Sequence, residues 1–284
     1  MVVAVLVVLF LAGGGWYFAG QIHDDALEVD PWEPQYGQNE VRADETSVTI
    51  SDPADEQPVL DGTDVSGLQW RSGYGQVSGP GSNADEVTRD FTLLSGRPPG
   101  PDEEVDVDPW AFPLDAPAAA LGTEVEEVSF DAELRELPAW FVPGEADTWA
   151  VLVHGKGATR AEMLRMMRTT VDAGLPSLAI TYRNDEGVAA DPSGLYQFGR
   201  TEWRDLAAAV EHAQDQGARD VVLVGASMGG AVIASYLEHV DDGPVRAVVL
   251  DSPMLDFGET VSFGASQRSL PLFGTVPAPL TWTA

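Results

Sequence analysis

The chain has 284 residues, which is enough for one domain of ordinary size and a smaller companion. It contains no cysteine, so disulfide frameworks and thiolate metal sites are excluded. Asp and Glu outnumber Lys and Arg by 46 to 15, and the net charge of −31 argues against a nucleic-acid partner. A salt-adapted organism and an ordinary compositional bias both fit so large an excess of acid.

Residues 1–23 are predicted to form a transmembrane anchor. Val2 to Ile22 carry no charge, and a helix of that length, rising about 1.5 Å per residue, spans the hydrocarbon core of a bilayer. Trp16 to Phe18 would lie near one interface. A cleaved signal peptide and a buried core helix are the alternatives, although a basic leading region is missing. We expect a single-pass membrane protein with most of the chain on the extracytoplasmic side.

Residues 24–122 are rich in Pro, Gly and acidic residues and show no helical periodicity. Short strands fit this segment better, and they are predicted over Ser47–Ile50, Gly67–Arg71 and Val87–Leu94. The interpretation that we favour is a small β domain. A disordered acidic linker is the alternative, but the segment holds too many large apolar residues for a solvated tether.

Residues 123–284 alternate between strand and helix patterns, which is typical of a mostly parallel sheet with helices on both faces. The predicted strands are Glu124–Phe130, Pro138–Val142, Thr148–Val153, Ser177–Thr181, Asp220–Val224 and Val245–Leu250. The predicted helices are Arg160–Ala173, Glu202–Gln216 and a third that reaches His239. The fold class is therefore α/β.

The strand Asp220–Val224 runs directly into Gly225-Ala226-Ser227-Met228-Gly229-Gly230. Gly-x-Ser-x-Gly alone is a weak signal, but here it lies between a buried strand and a helix. A serine on such a sharp turn exposes its hydroxyl above the sheet, where it can act as a nucleophile. The Met228 amide, at the start of the helix, would stabilise the negative charge that develops on an attacked carbonyl oxygen.

A second donor for that oxyanion is expected from the loop His154-Gly155-Lys156-Gly157, which follows an earlier strand. The Lys156 amide is the first choice and the Gly157 amide the second.

These two segments resemble the α/β-hydrolase superfamily, specifically its serine esterase, lipase and peptidase-like members. The resemblance covers about Glu124 to Asp251 and implies the α/β-hydrolase fold, with Ser227 as nucleophile and Met228 as one oxyanion donor. It implies that His154 is a loop residue and not the catalytic histidine. The expected substrate is a small molecule with an ester, thioester or amide carbonyl, and no cofactor is expected.

The chain departs from the family where the rest of the triad is needed. The family's order is Ser, acid, His, yet only His239 follows Ser227, and it lies about 18 Å along the intervening helix. Asp251 is a weak candidate for the acid. We expect a C-terminally truncated hydrolase domain without the triad acid and histidine, and therefore an inactive chain. A noncatalytic binding protein at the cell envelope is the alternative.

The loop Tyr182–Gly199 is expected to border the substrate pocket, and Arg183, Asp185, Tyr196 and Phe198 are its candidate residues. For these four residues the sequence favours ordinary solvated-loop roles over a role at the pocket mouth. The motifs specify neither the substrate nor the oligomeric state.

Overall fold

The fold contains two separate six-stranded sheets. The computed structural model of the protein describes residues 12–17, 19–20, 23–29, 36–37, 41–51, 65–79, 86–101, 103–108, 110–112, 116–241, 243–267, 269–270 and 274–275. The two sheets are consecutive in the chain, and each has its own hydrophobic core.

The first sheet is antiparallel throughout and has the order β1-β2-β5-β4-β3-β6. Its strands are β1 (Val41–Ala43), β2 (Ser47–Ser51), β3 (Ser66–Trp70), β4 (Gly73–Ser78), β5 (Glu86–Gly96) and β6 (Val105–Asp108). The three strands predicted for this segment are present within two residues of their expected bounds. The limits 24–122 of a separate domain stay a prediction.

The second sheet has the order β12-β11-β9-β10-β8-β7. Its strands are β7 (Glu126–Asp131), β8 (Glu136–Val142), β9 (Thr148–Val153), β10 (Ser177–Ile180), β11 (Asp220–Ala226) and β12 (Val245–Asp251). Strands β9 to β12 pair in parallel, and β7 and β8 add antiparallel pairs at one edge. The carboxyl ends of β9, β10, β11 and β12 therefore meet at one edge of the sheet.

Helices cover both faces of the second sheet. They are α1 (Pro117–Leu121), α2 (Leu164–Asp172), α3 (Trp203–Asp215), α4 (Met228–His239) and α5 (Phe257–Gln267), and a 3₁₀ turn over Arg160–Met163 precedes α2. Apolar residues of α3 and α4 pack in one core, and those of α1 and α2 pack in the other. The short strands β13 (Ser269–Leu270) and β14 (Gly274–Thr275) follow α5. The α/β class is confirmed.

The predicted anchor lies mostly outside the described residues. Residues 12–17 are helical, and His23–Leu27 form one π-helical turn. Within the described ranges, no helix combines the length and the apolar character that crossing a bilayer requires. The carbonyl of Leu27, the last residue of the π-helical turn, accepts a hydrogen bond from the Tyr196 amide at 2.8 Å. The segment before the first sheet therefore contacts the loop that follows β10.

Candidate active site

Ser227 occupies the turn between β11 and α4, and its backbone is strained. Its φ of +47° and ψ of −116° lie in a region that L-residues rarely adopt, and the residue is exposed to solvent. The Ser227 amide donates to the Asp251 carbonyl, while the Ser227 carbonyl accepts from the Gly230 and Met254 amides, each at 3.0 Å. The strain is therefore held by bonds to the loop after β12 as well as by α4.

Close packing of α4 against the end of β9 requires the glycine at position 229. A β-carbon there would lie 2.2 Å from the Val153 carbonyl oxygen and 2.8 Å from the His154 carbonyl oxygen, both backbone atoms. Since neither atom can move without moving the strand, only glycine lets the helix approach this closely. The approach brings the first turn of α4 against the loop that follows β9.

That loop, residues 154–157, contacts the serine turn directly. A β-carbon at Gly155 would lie 3.1 Å from the Ser227 β-carbon and 3.5 Å from the Ala226 carbonyl oxygen. The two segments that the sequence indicated therefore pack so closely that a side chain at position 155 would meet the serine, and a shared oxyanion site needs this proximity. Lys156 and Gly157 follow directly along the loop, and Gly157 has a positive φ of 69°.

The Met228 amide is at the first residue of α4. Among the described residues it donates no hydrogen bond, which fits a group facing an open site at a helix N-terminus. The assignment of Met228, Lys156 and Gly157 as oxyanion donors stays a prediction.

Asp251 ends β12 beside the serine turn, but its carboxylate has other partners. The Arg165 guanidinium donates to Asp251 Oδ2 at 2.5 Å, and the Ser252 hydroxyl donates to Asp251 Oδ1 at 3.1 Å. In the described part of the chain no histidine bonds to this carboxylate. Asp251 therefore bridges the loop after β12 to α2, which carries Arg165, and its candidacy as a triad acid stays untested.

The histidine rings contact groups other than the Ser227 hydroxyl. His239 ends α4, where its ring stacks on Trp203 at 4.5 Å between centroids and its Nδ1 bonds the Ser235 carbonyl. The ring of His212, in α3, lies 6.2 Å from that of Phe130, and His23 contacts Asp24. In the residues that the structure describes, we identify no histidine placed to take a proton from Ser227.

His154 is fully buried beneath the loop it begins. Its Nε2 is 2.8 Å from Asp185 Oδ2, and its Nδ1 is 2.9 Å from the Gly155 carbonyl oxygen. Its ring stacks on Tyr182 at 4.3 Å, and the Tyr182 hydroxyl donates to the His154 and Gly155 carbonyls, each at 3.1 Å. Burial alone would lower the pKa of His154, but the nearby Asp185 carboxylate raises it above the ordinary histidine value.

The loop after β10 is tied down by buried charge, so the solvated-loop interpretation is wrong for most of its candidate residues. Arg183 is buried and bonds Asp205 through Nε at 2.8 Å and Nη2 at 2.9 Å, with further contacts to Asp191 and Glu133. Asp185 is mostly buried against His154, and Tyr196 is buried. These groups fix the loop to α3 and the core.

Phe198 is only partly buried and contacts α5. Its ring lies 4.8 Å from that of Phe257, the first residue of α5, which lies shortly after the Ser227-bonding Met254. The Lys156 ammonium lies 5.5 Å from the Tyr196 ring centroid, so that side chain reaches the same loop.

A model of the Alpha/beta hydrolase family matches residues 150–284, which include β9, the residue 154–157 loop, the serine turn and β12. The resemblance to the α/β-hydrolase superfamily is confirmed for these residues. We refer to the part built on the second sheet as the hydrolase domain. A comparison with curated protein sequences found no match.

Several solved structures are similar to the hydrolase domain at low sequence identity. A Pyrococcus furiosus esterase, Pf2001, is 23% identical with a TM-score of 0.47, covering 54% of this chain and 61% of its own. An Exiguobacterium antarcticum esterase is 18% identical with a TM-score of 0.37, covering 45% and 46%. Epoxide hydrolase A from Mycobacterium thermoresistibile is 22% identical with a TM-score of 0.38, covering 45% and 39%. The chain spans about three fifths of the length of the Pyrococcus esterase. It spans less than half of the length of the other two proteins.

Glu162 and Tyr182 also belong to this site, although the sequence does not mark them as site residues. The Glu162 carboxylate accepts from the Gly155 amide at 2.6 Å, and Tyr182 holds the carbonyl of the same residue. A glutamate in a polar turn and a tyrosine after a strand carry no distinctive motif, and only the fold brings them to Gly155. For Tyr182 the one available signal was its position just after the end of β10, where loops of this sheet converge.

Proposed function

We propose that the hydrolase domain is a serine hydrolase that cleaves an ester, thioester or amide through an acyl-enzyme on Ser227. The Met228 amide and the Lys156 amide, with Gly157 as the alternative, would bind the oxyanion. Water would then hydrolyse the acyl-enzyme, and no cofactor enters the reaction.

The observation that carries this proposal is the strained, exposed Ser227 in contact with the residue 154–157 loop. A strained φ of +47° at a serine costs on the order of 1–3 kcal/mol, and it is retained at an exposed turn beside a helix N-terminus. Such strain is typical of residues whose geometry serves a reaction. A β-carbon at Gly155 would lie 3.1 Å from the Ser227 β-carbon, so the loop and the serine turn pack closely, as a shared oxyanion site requires.

A general base is still required, and we propose that it comes from a segment that packs on β12. This strand lies at an edge of the sheet, and Val248, Val249 and Leu250 are exposed there by 36%, 51% and 37%. Since consecutive residues of a strand face opposite sides, apolar surface is exposed on both faces of β12. A further part of the hydrolase domain, outside this sequence and carrying the acid and the histidine, would cover that surface.

We also propose that residues 1–23 anchor the protein in a membrane with the hydrolase domain outside the cytoplasm. The uncharged run Val2 to Ile22 supports this proposal.

Covalent labelling of Ser227 tests the proposed function. Without a base the serine hydroxyl stays protonated, and the oxyanion donors alone leave an acceleration of about 10³ to 10⁴-fold over water. We therefore expect the 284-residue chain to hydrolyse p-nitrophenyl acetate no faster than its Ser227→Ala variant. A chain continued through the downstream reading frame should show Ser227-dependent hydrolysis and react with a fluorophosphonate.

Ser235→Ala is the matched control, because Ser235 lies in the same helix and away from the turn. It should leave labelling and hydrolysis of the continued chain unchanged. Ser227-dependent turnover in the 284-residue chain would contradict the proposal of an external base. Absence of any Ser227-dependent reaction in the continued chain would overturn the hydrolase proposal and favour a noncatalytic binding protein.

A further inference from the structure

We propose that His154 is a buried imidazolium that positions the Lys156 amide for the reaction at Ser227. This role rests on the proposed function. His154 takes no part in the proposed proton transfers, so the role would be structural support of the oxyanion donor.

Both ring nitrogens of His154 face groups that accept hydrogen bonds. Nδ1 lies 2.9 Å from the Gly155 carbonyl oxygen, which has no proton to donate. Nε2 lies 2.8 Å from Asp185 Oδ2, which also accepts from the Tyr182 amide at 3.1 Å. Both contacts are satisfied together when each ring nitrogen carries a proton, so the ring is a cation paired with the Asp185 carboxylate.

The charged and titratable groups facing His154 agree with a cation. They are the carboxylates of Asp185 and Glu162, together with Tyr182, whose own pKa is raised well above its usual value by burial. Tyr182 is therefore neutral and donates its hydroxyl proton to the loop carbonyls. A fully buried charge is tolerated only when it is paired and hydrogen-bonded, and His154 meets both conditions.

The Gly155 carbonyl that His154 binds belongs to the same peptide group as the Lys156 amide. In a planar trans peptide the C=O and N–H bonds point in opposite directions. Because His154 Nδ1 and the Tyr182 hydroxyl hold the C=O in the interior, the Lys156 N–H is directed outwards, where Ser227 is exposed. Glu162 holds the preceding amide of Gly155 at 2.6 Å, so both sides of the glycine are fixed.

Loss of one proton would release this arrangement. A neutral ring has a single N–H and must give up either the Asp185 carboxylate or the Gly155 carbonyl. The raised pKa of His154 favours the doubly protonated ring, in which both bonds are made. Their contribution to stability is full below the ordinary pKa of histidine and is lost as the pH rises through the raised value.

Nitrogen-15 NMR of the histidine rings in the full chain tests the charge of His154. We expect both of its ring nitrogens to be protonated at pH 7, with a titration midpoint above the ordinary value for histidine. Asp185→Asn should lower that midpoint, because the neutral amide no longer stabilises the cation. A ring with one protonated nitrogen at pH 7, or a midpoint unaffected by Asp185→Asn, would overturn the proposal.

Kinetics of the continued, active chain test the positioning role. Tyr182→Phe removes one of the two donors to the Gly155 carbonyl, and we expect kcat to fall about tenfold with little change in KM. Tyr74→Phe is the matched control, since Tyr74 is buried in the first sheet and its hydroxyl donates to Asp108 at 2.7 Å. Equal kcat values for the two variants would overturn the positioning role.

The two measurements separate this inference from the proposed function. If the Ser227→Ala substitution changes the activity of neither the 284-residue chain nor the continued chain, both the hydrolase proposal and the positioning role are wrong. The ring-nitrogen measurement does not depend on activity and decides the charge of His154 in either case.

Discussion

At the scale of single residues, several hydrogen bonds fix the backbone of each of two site residues, Ser227 and Gly155. Ser227 keeps a strained backbone through three backbone hydrogen bonds. Gly155 has its amide bound by Glu162 and its carbonyl bound by both His154 and Tyr182. Such redundancy keeps a reactive geometry in place before any substrate binds, which is the preorganisation that catalysis by polar groups requires.

Relief of strain at Ser227 gives a prediction about stability. Ser227→Gly should be more stable than Ser227→Ala by about 1 kcal/mol, because glycine adopts a φ near +47° without the cost that a β-carbon imposes. Urea unfolding of both variants measures the difference from their midpoints.

The corresponding pair at Ser235 serves as the control for the flexibility of glycine. Ser235 is inside α4, where glycine should be less stable than alanine by about 1 kcal/mol. A Ser227→Gly variant that is less stable than Ser227→Ala would mean that the turn is not strained.

At the scale of elements, β12 is the part of the hydrolase domain that differs most from its neighbours. β11 is almost entirely buried, whereas most of β12 is exposed although its residues are equally apolar. An exposed apolar edge strand offers unpaired backbone groups to other chains and promotes aggregation. The same surface is what a further strand and helix of the hydrolase domain would cover.

A lysine on β12 should therefore benefit the 284-residue chain by reducing its self-association and harm the continued chain by lowering its stability. Val249→Lys should reduce self-association of the 284-residue chain, measured by light scattering at fixed protein concentration, since Val249 is 51% exposed there. In the continued chain the same substitution should lower the free energy of unfolding by about 1–3 kcal/mol, because the lysine would be buried.

Val65→Lys is a suitable comparison, because Val65 is 48% exposed and directly precedes β3 of the first sheet. It should change neither property. If Val249→Lys has the same effect on stability in both forms, no further segment packs on β12.

At the scale of the whole molecule, the part of the chain that precedes β9 differs in charge from the rest. Residues 1–150 contain 30 acidic and 5 basic residues, while residues 151–284 contain 16 and 10, so the acid excess lies mainly before β9. The hydrogen bond between Leu27 and Tyr196 ties the start of the first part to the loop after β10. Only four residues separate Ile22 from Leu27, a span of less than about 20 Å even when extended. An anchor over residues 1–23 would therefore hold the hydrolase domain close to the bilayer.

Fractionation of cells tests the anchor. The full chain should sediment with membranes and be released by detergent but not by high salt, because burial of an apolar segment is not screened by ions. A chain that starts at residue 24 should remain in the supernatant. Recovery of the full chain in the supernatant without detergent would contradict the anchor.

The sequence by itself determined the α/β class, the serine turn and the strand bounds of the second sheet to within two residues, but it did not predict β1, β4 and β6 of the first sheet. Local patterns carry these features: apolar runs with short turns define β9 and β11, and the spacing of Gly225, Ser227 and Gly229 allows one close strand-to-helix turn. The tertiary structure alone decided how the loops meet. Ionic and hydrogen-bonding partners far apart in sequence, such as His154 with Asp185 and Arg183 with Asp205, leave no periodic signal. Their pairing follows from strand order, because the carboxyl ends of adjacent parallel strands bring these loops to one edge of the sheet.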